Sequence, residues 1–275
     1  MKRIGFVGAG QMAKALVGGI SANCVDLEFF ICDPSDEAAK SFEAAVDKGQ
    51  VHRVATNAEV FAKADIVFLA VKPQYFAQAV VSSEVGPVVS DRKDGPVVVS
   101  VMAGVSIKAI RERTSLNAIA RVMPNTPCLV GEGAMAVAFA DHIDEPSRDT
   151  ICEYLESTGI VIKVDEEKLD AVTGLSGSGP AFVFEFIDAM ASGGVRCGLS
   201  RDVAMKLAIR TVAGAAALAE VTGEHPVVLR DRVTSPGGTT IAGLKAMSEC
   251  GLEGAVIAAV EAATLRAKEL GQPND

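Results

Sequence analysis

The 275-residue sequence contains no tryptophan and only two tyrosines. Aromatic side chains supply the platforms on which single-stranded nucleic acids stack, and sugars pack on similar rings, so this shortage argues against both ligand classes. A formal net charge of −9 at pH 7 also disfavours non-specific binding to nucleic acid or to an anionic membrane surface. The composition therefore predicts a protein with no nucleic-acid partner.

The six cysteines are scattered along the chain, without a CxxC pair or another spacing typical of metal sites. We expect no metal, and we interpret most of these cysteines as small core residues in a reducing compartment. Charged residues or proline interrupt the apolar stretches well before the length of about 20 residues that spans a bilayer. No signal peptide is recognised either. The expectation is a soluble, cytoplasmic protein that has no membrane partner.

The three histidines, His52, His142 and His225, do not stand near a carboxylate at a catalytic spacing. The sequence also lacks a GxSxG elbow after a strand, the motif that exposes the nucleophile of many hydrolases. These absences disfavour a Ser–His–Asp hydrolase and a metal-assisted mechanism.

Hydrophobic residues make up 49% of the chain and charged residues 22%, which is enough apolar surface for a substantial core. Strands are predicted at residues 4–8, 27–32, 51–55, 65–71, 96–102 and 118–123, with edge strands at 133–140 and 159–164. Helices are predicted at 11–20, 37–49, 57–64 and 145–157, with Ser35 and Asn57 as caps. Alternation of this kind is typical of βαβ crossovers. We predict an α/β Rossmann domain with a doubly wound, mainly parallel sheet over residues 1–164.

Residues 165–275 have a different pattern, with long stretches rich in Ala, Leu, Met and Glu and no convincing alternating strand. Glycine and proline divide these stretches into about five helices. An all-helical domain of this size is small for a self-contained core, which favours a symmetric partner. We predict an all-α C-terminal dimerisation and substrate-binding domain over residues 165–275.

A GxGxxA fingerprint, formed by Gly8, Gly10 and Ala13, follows the first predicted strand. Gly8 allows the tight turn, Gly10 lets the backbone approach a pyrophosphate, and Ala13 keeps the helix close to the sheet. The helix start at Gln11 and Met12 faces the phosphates. Because the motif stands between a strand and a helix, we predict dinucleotide binding. The alternative is a glycine turn in an α/β protein that binds no dinucleotide.

Asp33 ends the second predicted strand, where an acidic side chain can accept hydrogen bonds from both ribose hydroxyls and repel a 2′-phosphate. That position favours NAD. Ser35, Lys40 and Arg53 could instead favour a 2′-phosphate, so NADPH and NADH both stay open as cofactors. Asp33 could also form a simple Asx-turn before Pro34.

Ligands of open α/β sheets lie outside the carboxyl ends of the strands. Residues 70–73 leave the fourth predicted strand there, 103–104 leave the fifth, and 123–127 leave the sixth. Lys72 and Asn125 are therefore candidates to contact a cofactor or substrate. A lone lysine after a strand is, however, more often a solvated turn residue.

Two glycine-rich segments interrupt the helical part, at residues 174–180 and 235–240. In the second, Gly237 and Gly238 have no side chains and so leave the backbone amides accessible. Thr239 and Thr240 begin a helix whose first amides have no internal partner. Such a segment can cradle a carboxylate and offers hydroxyls to a neighbouring polar atom. A plain helix break with capping serines is the alternative.

Motifs along nearly the whole chain resemble the pyrroline-5-carboxylate reductase family. They are IGFVGAGQM at residues 4–12, LAVKP at 69–73, AGV at 103–105, MPNTP at 123–127, DAVTGLSGSGP at 170–180 and SPGGTTIAGL at 235–244. The resemblance implies reduction of 1-pyrroline-5-carboxylate to L-proline by NADPH or NADH, the last step of proline biosynthesis. It also implies a homodimer through the helical domain, within larger rings of dimers in many relatives. Asp33 departs from the family pattern, because many members favour NADPH and carry an uncharged or basic residue there.

The resemblance also assigns site residues by position. It adds Asn57, Ala70, Val71, Lys72, Pro73, Ala103 and Asn125 to the candidate cofactor residues that the fingerprint and the end of the second strand provide, which are Gly8, Gly10, Gln11, Met12, Asp33 and Ser35. It implies that the substrate is held by Ser235, Gly237, Gly238, Thr239 and Thr240, with the Thr240 hydroxyl near the imine nitrogen.

The two glycine-rich segments contain no His, Lys, Asp or Glu. A protonated cyclic imine accepts hydride without a strong enzymic acid, so we expect Thr240 to hydrogen-bond the nitrogen while the protein orients the reactants and removes water. Two alternatives are a β-hydroxyacid dehydrogenase-like reductase and a non-catalytic NAD(P)-binding regulator. The first commonly needs a lysine on the helix after its glycine-rich turn, where residues 180–184 have none, and the second has no need of a substrate cradle.

Overall fold

The computed structural model of the protein describes residues 2–90 and 95–271. Among these residues, eight strands form one sheet in the spatial order β3-β2-β1-β4-β5-β6-β7-β8. The strands are β1 (Lys2–Val7), β2 (Leu27–Cys32), β3 (Gln50–Arg53), β4 (Ile66–Leu69), β5 (Val97–Ser100), β6 (Ile119–Met123), β7 (Gly133–Phe139) and β8 (Gly159–Lys163). Neighbouring strands are parallel except β6 and β7, which are antiparallel. The predicted doubly wound, mainly parallel sheet is confirmed.

Register brings the ends of three strands to one place. Val7, the last residue of β1, pairs with Cys32 of β2 on one side and with Leu69 of β4 on the other. Strand order reverses between β1 and β4, and a crevice forms at such a switch point in open α/β sheets. The residues that follow β1, β2 and β4 therefore meet at one edge.

Helices connect the strands in the first part of the chain. They are α1 (Gln11–Asn23), α2 (Asp36–Glu43), α3 (Asn57–Lys63), α4 (Phe76–Ala79), α5 (Ser82–Ser90), α6 (Ile107–Thr114), α7 (Glu145–Glu156) and α8 (Leu169–Val172). Short 3-10 helices occupy Pro73–Tyr75, Thr126–Val130 and Glu166–Lys168, and a π-helical turn occupies Thr173–Gly177.

Side-chain caps set the starts of several helices, including α2 and α3. The Ser35 hydroxyl accepts a hydrogen bond from the Ala38 amide at 3.2 Å, so the predicted cap of α2 is confirmed. The predicted cap of α3 is wrong: Thr56, rather than Asn57, accepts from an amide of the first turn. Asn57 is the first helical residue, and its side chain donates instead to the Ala79 carbonyl at 2.8 Å.

Apolar layers cover the sheet on both faces. On one face, Phe6 stacks on Phe68 with ring centroids 4.9 Å apart and meets Phe42 edge-on at 5.0 Å. On the other face, Gly5 lets α3 approach β1, because a Cβ at Gly5 would clash with the Val60 side chain. These layers fix the strands whose ends form the crevice.

The described residues divide into two compact units, one of residues 2–178 and 262–271 without the gap at 91–94, and one of residues 179–261. Leu169 of α8 is fully buried against Ala136 and Ala138 of β7. The segment just after β8 is thus helical in sequence character but packs on the sheet. The predicted domain boundary after residue 164 stays a prediction.

The second unit is helical, as the sequence predicts. Its elements are α9 (Gly179–Arg196), α10 (Arg201–Thr222), α11 (Pro226–Arg232), α12 (Thr239–Glu249) and the first part of α13 (Leu252–Leu270). α9 and α10 pack through small residues, with Ala191, Ala204 and Ala208 buried between them. Gly194 permits this approach, since a Cβ there would lie 3.1 Å from the Ala204 Cβ.

No helix among the described residues is long and apolar enough to cross a membrane.

Candidate functional site

A cavity of about 720 Å³ opens at the carboxyl ends of β1 to β4. Its volume is in the range of small-molecule and cofactor pockets, roughly 300–1,000 Å³. The wall is formed by Gly8, Gly10, Cys32, Asp33, Pro34, Val54, Ala55, Thr56, Asn57, Ala70, Val71, Lys72, Tyr75, Gln78, Ala79 and Glu84. Seven predicted cofactor residues are therefore brought together here: Gly8, Gly10, Asp33, Asn57, Ala70, Val71 and Lys72.

The two fingerprint glycines have the geometry that a bound diphosphate requires. Gly8 has φ +96°, and a Cβ there would lie 3.0 Å from the Ala70 carbonyl oxygen. A Cβ at Gly10 would meet nothing within 4 Å, so the backbone is open to the cavity. Gly10 is also the N-cap of α1 and provides no side-chain cap. The first amides of α1 are thus available to an anion, and the cradle fits the diphosphate of a dinucleotide.

Asp33 joins the ends of β1 and β2. One carboxylate oxygen accepts a hydrogen bond from the Ala9 amide at 2.7 Å, and the other accepts from the Ser35 amide at 2.8 Å. The second bond is the Asx-turn that the sequence allowed. The first bond connects the acidic strand end directly to the glycine-rich loop, which the sequence did not reveal.

Of the two cationic residues considered beside Asp33, Arg53 is already paired. The Arg53 guanidinium donates to both carboxylate oxygens of Glu43 and lies 3.3 Å from Asp36. The hydrogen bond from Arg53 holds the pKa of Glu43 below its usual range. The cavity wall includes the residues that follow Arg53 but not Arg53 itself. Lys40 is exposed further along α2.

Several predicted cofactor residues lie near the cavity without lining its described wall. Ser35 caps α2, and Pro73 starts the short helix after Lys72. Met12 packs partly against the core. Gln11 lines a second groove of about 560 Å³ along α1, together with Lys14.

Ala103 and Asn125 follow β5 and β6, on the far side of β4 from Asp33. Ala103 precedes Gly104, which has φ +74° and approaches the backbone of Leu270 at the end of α13. Asn125 is buried, and its amide group bridges two backbone groups of the first unit, the Ser176 carbonyl and the Ala134 amide. Their predicted roles at the cofactor stay predictions.

The wall also contains residues that sequence reasoning missed. Tyr75 lies on the 3-10 helix after β4 and is 53% exposed. Gln78, Ala79 and Glu84 follow it, and Cys32 precedes Asp33. Burial in the cavity wall raises the pKa of the Cys32 thiol. The sequence carries no direct signal for Tyr75, Gln78 and Glu84, because their place in the wall depends on how the short helices after β4 pack.

The predicted substrate loop belongs to the second unit. Gly237 has φ +68°, and the Gly238 amide donates to the Ser235 carbonyl at 3.1 Å, which closes a turn before α12. Gly238 is the N-cap of α12 and offers no side-chain cap. Thr239 and Thr240 are the first helical residues, with Thr239 exposed and Thr240 half-buried. The loop therefore leaves the first amides of an eleven-residue helix available to an anion.

These features define the class: the chain is a dinucleotide-binding protein of the Rossmann type with a helical second unit. Family models agree, since "NADP oxidoreductase coenzyme F420-dependent" matches residues 3–104 and "Pyrroline-5-carboxylate reductase dimerisation" matches residues 166–270. Pyrroline-5-carboxylate reductases from Arabidopsis thaliana and a Synechocystis strain are each 39% identical to this chain, over 98% of it and 96% and 98% of their own lengths. The chain belongs to the pyrroline-5-carboxylate reductase family.

Solved structures of this family superpose closely. The enzyme from Coxiella burnetii gives a TM-score of 0.87 at 32% identity, and the enzyme from Plasmodium falciparum, solved with NADP bound, gives 0.83 at 29% identity. Each comparison covers 98% of both chains. The family and fold inferred from the sequence motifs are thus confirmed.

Proposed function

We propose that this protein is the enzyme that reduces 1-pyrroline-5-carboxylate to L-proline with NADPH or NADH, the last step of proline biosynthesis. The observation that carries the proposal is the coverage: reductases of this family match 98% of the chain, so both the cavity and the Ser235–Thr240 loop lie inside the match. The reaction adds a hydride to the imine carbon and a proton to the nitrogen, and the C=N bond becomes CH–NH.

The cavity would hold the adenosine diphosphate half of the cofactor. The α1 amides and the open backbone at Gly10 would bind the diphosphate. Asp33 would bind the adjacent ribose, with the wall after β3 and β4 around the adenine. The other half would extend across the switch point toward Ala103 and Asn125, because β5 and β6 follow β4 in the sheet. The reduced nicotinamide supplies the hydride.

The loop before α12 would hold the substrate. Its carboxylate would accept hydrogen bonds from the amides of Thr239 and Thr240, which have no side-chain cap. Ser235, Gly237 and Gly238 would shape the turn. The Thr240 hydroxyl would hydrogen-bond the imine nitrogen and orient the ring. The loop has no ionisable side chain, so the proton on nitrogen would come from solvent before the substrate is enclosed.

Thr240 offers the direct test of this assignment. Thr240→Ala should lower kcat/KM for the imine by roughly 10- to 100-fold, about 1.4–2.8 kcal/mol of transition-state stabilisation. Thr240→Ser, which keeps the hydroxyl, should recover most of the activity. Thr222→Ala is the control, since the Thr222 hydroxyl lies at the exposed end of α10, where it donates to the Leu218 carbonyl and accepts from the Glu224 amide. Wild-type kinetics in Thr240→Ala would remove Thr240 from the mechanism.

The same assay separates the alternative functions. Oxidation of reduced cofactor that depends on the cyclic imine supports the proposal. Activity on β-hydroxyacids instead would favour the dehydrogenase alternative, although the helix Gly179–Arg196 contains no lysine. Dinucleotide binding without turnover of either substrate would leave a non-catalytic regulator.

Assembly and location belong to the same proposal. The helical unit exposes large apolar side chains on α9 and α10, which suit a symmetric partner, and we infer a homodimer, with rings of dimers as a further level. Each of the six cysteines lies in the described residues and carries a free thiol, which is consistent with the expected cytoplasmic location.

A further inference from the structure

The Asp33 carboxylate is fixed in place at the cavity wall. Its two oxygens accept hydrogen bonds from the amides of Ala9 and Ser35, at 2.7 and 2.8 Å. Hydrogen bonds to an ionised acceptor are short and strong. Turning the carboxylate away from the cavity would break both bonds and would leave the Ala9 amide of the glycine-rich loop without this partner. The negative charge therefore stays where the ribose beside the diphosphate must lie.

The fixed carboxylate still has acceptor capacity for a ribose. An ionised carboxylate has about four lone-pair sites, and the two backbone amides use one on each oxygen. One site on each oxygen remains, which matches the two neighbouring hydroxyls of an unmodified ribose. A 2′-phosphate would replace one of these donors with a group of about −2 charge, directly against the carboxylate.

The neighbouring charges do not compensate for a phosphate. Arg53, at the end of the adjacent strand β3, is held by Glu43 and Asp36. Asp36 and Glu37 add carboxylates to the first turn of α2. Lys72 lies in the cavity wall, but it follows β4, on the opposite side of β1 from Asp33. Lys40, exposed further along α2, does not line the cavity. Lys72 is the one cation among the described residues of the cavity wall, so the described surroundings of this ribose position are acidic.

We propose that this enzyme selects NADH over NADPH, and that Asp33 is the residue that sets the selectivity. Because the charge is fixed rather than mobile, the discrimination in binding should be roughly 10- to 100-fold. This preference would separate the chain from the Plasmodium falciparum relative that was solved with NADP bound. The inference rests on the proposed function, in which the bound dinucleotide is the hydride donor for the imine. The binding preference itself can be measured without any imine.

The experiment is calorimetric titration of the purified full-length protein with NADH and with NADPH, without substrate. The wild type should bind NADH at least about 10-fold more tightly. Asp33→Ser and Asp33→Asn remove the charge and should shift the ratio of the two dissociation constants at least about 10-fold toward NADPH. Asp33→Asn keeps an oxygen acceptor, so it covers the case in which Asp33→Ser fails to fold. Asp141→Asn removes an equal charge in the exposed turn after β7, outside the cavity wall, and should change the ratio less than about threefold.

The outcomes separate the two proposals. Equal or tighter binding of NADPH by the wild type, or an unchanged ratio in folded Asp33→Asn, would overturn the selectivity inference and leave the reductase proposal intact. Failure of both dinucleotides to bind folded wild type would instead refute the proposed function. Imine-dependent kcat/KM ratios for the two cofactors should follow the binding ratios.

Discussion

The side-chain amide of Asn125 donates a hydrogen bond to the backbone carbonyl of Ser176 at 3.1 Å. Its oxygen accepts a hydrogen bond from the Ala134 amide at 3.0 Å. One buried side chain thus joins the end of β6 to the π-helical turn Thr173–Gly177 and to the start of β7. Gly177 fits against Met123 in the same place, since a Cβ there would clash with the methionine side chain.

Asn125→Ala should therefore destabilise the protein. The substitution leaves two partly buried backbone groups without these partners, which costs about 1–3 kcal/mol. Urea unfolding followed by far-UV circular dichroism measures the loss. Asn117→Ala, at an exposed position between α6 and β6, is the matched control and should stay within about 0.5 kcal/mol of the wild type. Equal stability of the two variants would show that the bridge contributes nothing to folding.

A second buried polar group, the Arg121 side chain of β6, is linked through Glu166 to the start of α6. The Arg121 side chain is 9% exposed and lies 3.3 Å from Glu166 and 3.7 Å from Asp170. The same Glu166 oxygen accepts from the Ile107 amide at 2.7 Å, at the start of α6. Arg121→Met should destabilise the protein by about 2–4 kcal/mol, because two carboxylates lose their buried cation.

Two further variants test that explanation. Adding Glu166→Gln to Arg121→Met removes one uncompensated charge but keeps an acceptor for Ile107, so the double variant should be more stable than the single one. Arg266→Met breaks an exposed ion pair with Glu269 and should cost less than about 1 kcal/mol. A double variant that is less stable than Arg121→Met would contradict the charge argument.

The sequence predicts best where local chemistry decides the structure. Residues 27–32 form β2 as predicted, since the run of apolar residues ends at Asp33. The helix predicted to reach residue 49 ends at Glu43, although Ala44 and Ala45 favour a helix. Tertiary contacts decide there: the Ser21 hydroxyl accepts from the Asp47 amide at 2.9 Å, and Gly49 has φ +112°.

In the candidate site too, features that neighbouring residues decide could be predicted, and features that tertiary contacts decide could not. Gly8 and Gly10 could be predicted because a strand, a glycine turn and a helix are adjacent in sequence. The hydrogen bond between Asp33 and Ala9 joins residues 24 positions apart and depends on the pairing of β1 with β2. Tyr75 reaches the wall from a 3-10 helix whose side-chain directions depend on packing. Sequence patterns carry no direct signal for either relationship.

The start of α7 provides a test of pH dependence. Asp144 is its N-cap, and hydrogen bonds from the Ser147 side chain and amide lower the pKa of its carboxyl group. A carboxyl group with a lowered pKa in the folded state stabilises the protein above its unfolded pKa of about 3.9. This stabilisation is lost as the pH falls through the lower, folded pKa.

Asp144→Asn keeps a capping oxygen but does not titrate. Between roughly pH 5 and pH 3, its urea midpoint should fall less steeply than that of the wild type. Asp141→Asn, exposed in the preceding turn, should keep the wild-type slope. Identical slopes for Asp144→Asn and the wild type would mean that the cap does not contribute to the acid sensitivity.

The apolar surface of the helical unit leads to the last prediction. Phe184 on α9 is 64% exposed, while the packing between α9 and α10 buries mainly alanines. A phenylalanine left in water gives up much of the stabilisation that its burial provides, roughly 1.5–3 kcal/mol. Phe184→Glu should therefore dissociate the proposed dimer, because the new charge would be desolvated at the interface. Analytical ultracentrifugation over a range of concentrations measures this, with Lys206→Gln as a control of equal charge change at an exposed position of α10. If both variants sediment like the wild type, α9 does not form the interface, and the exposed apolar residues of α10 and α13 become the next positions to test.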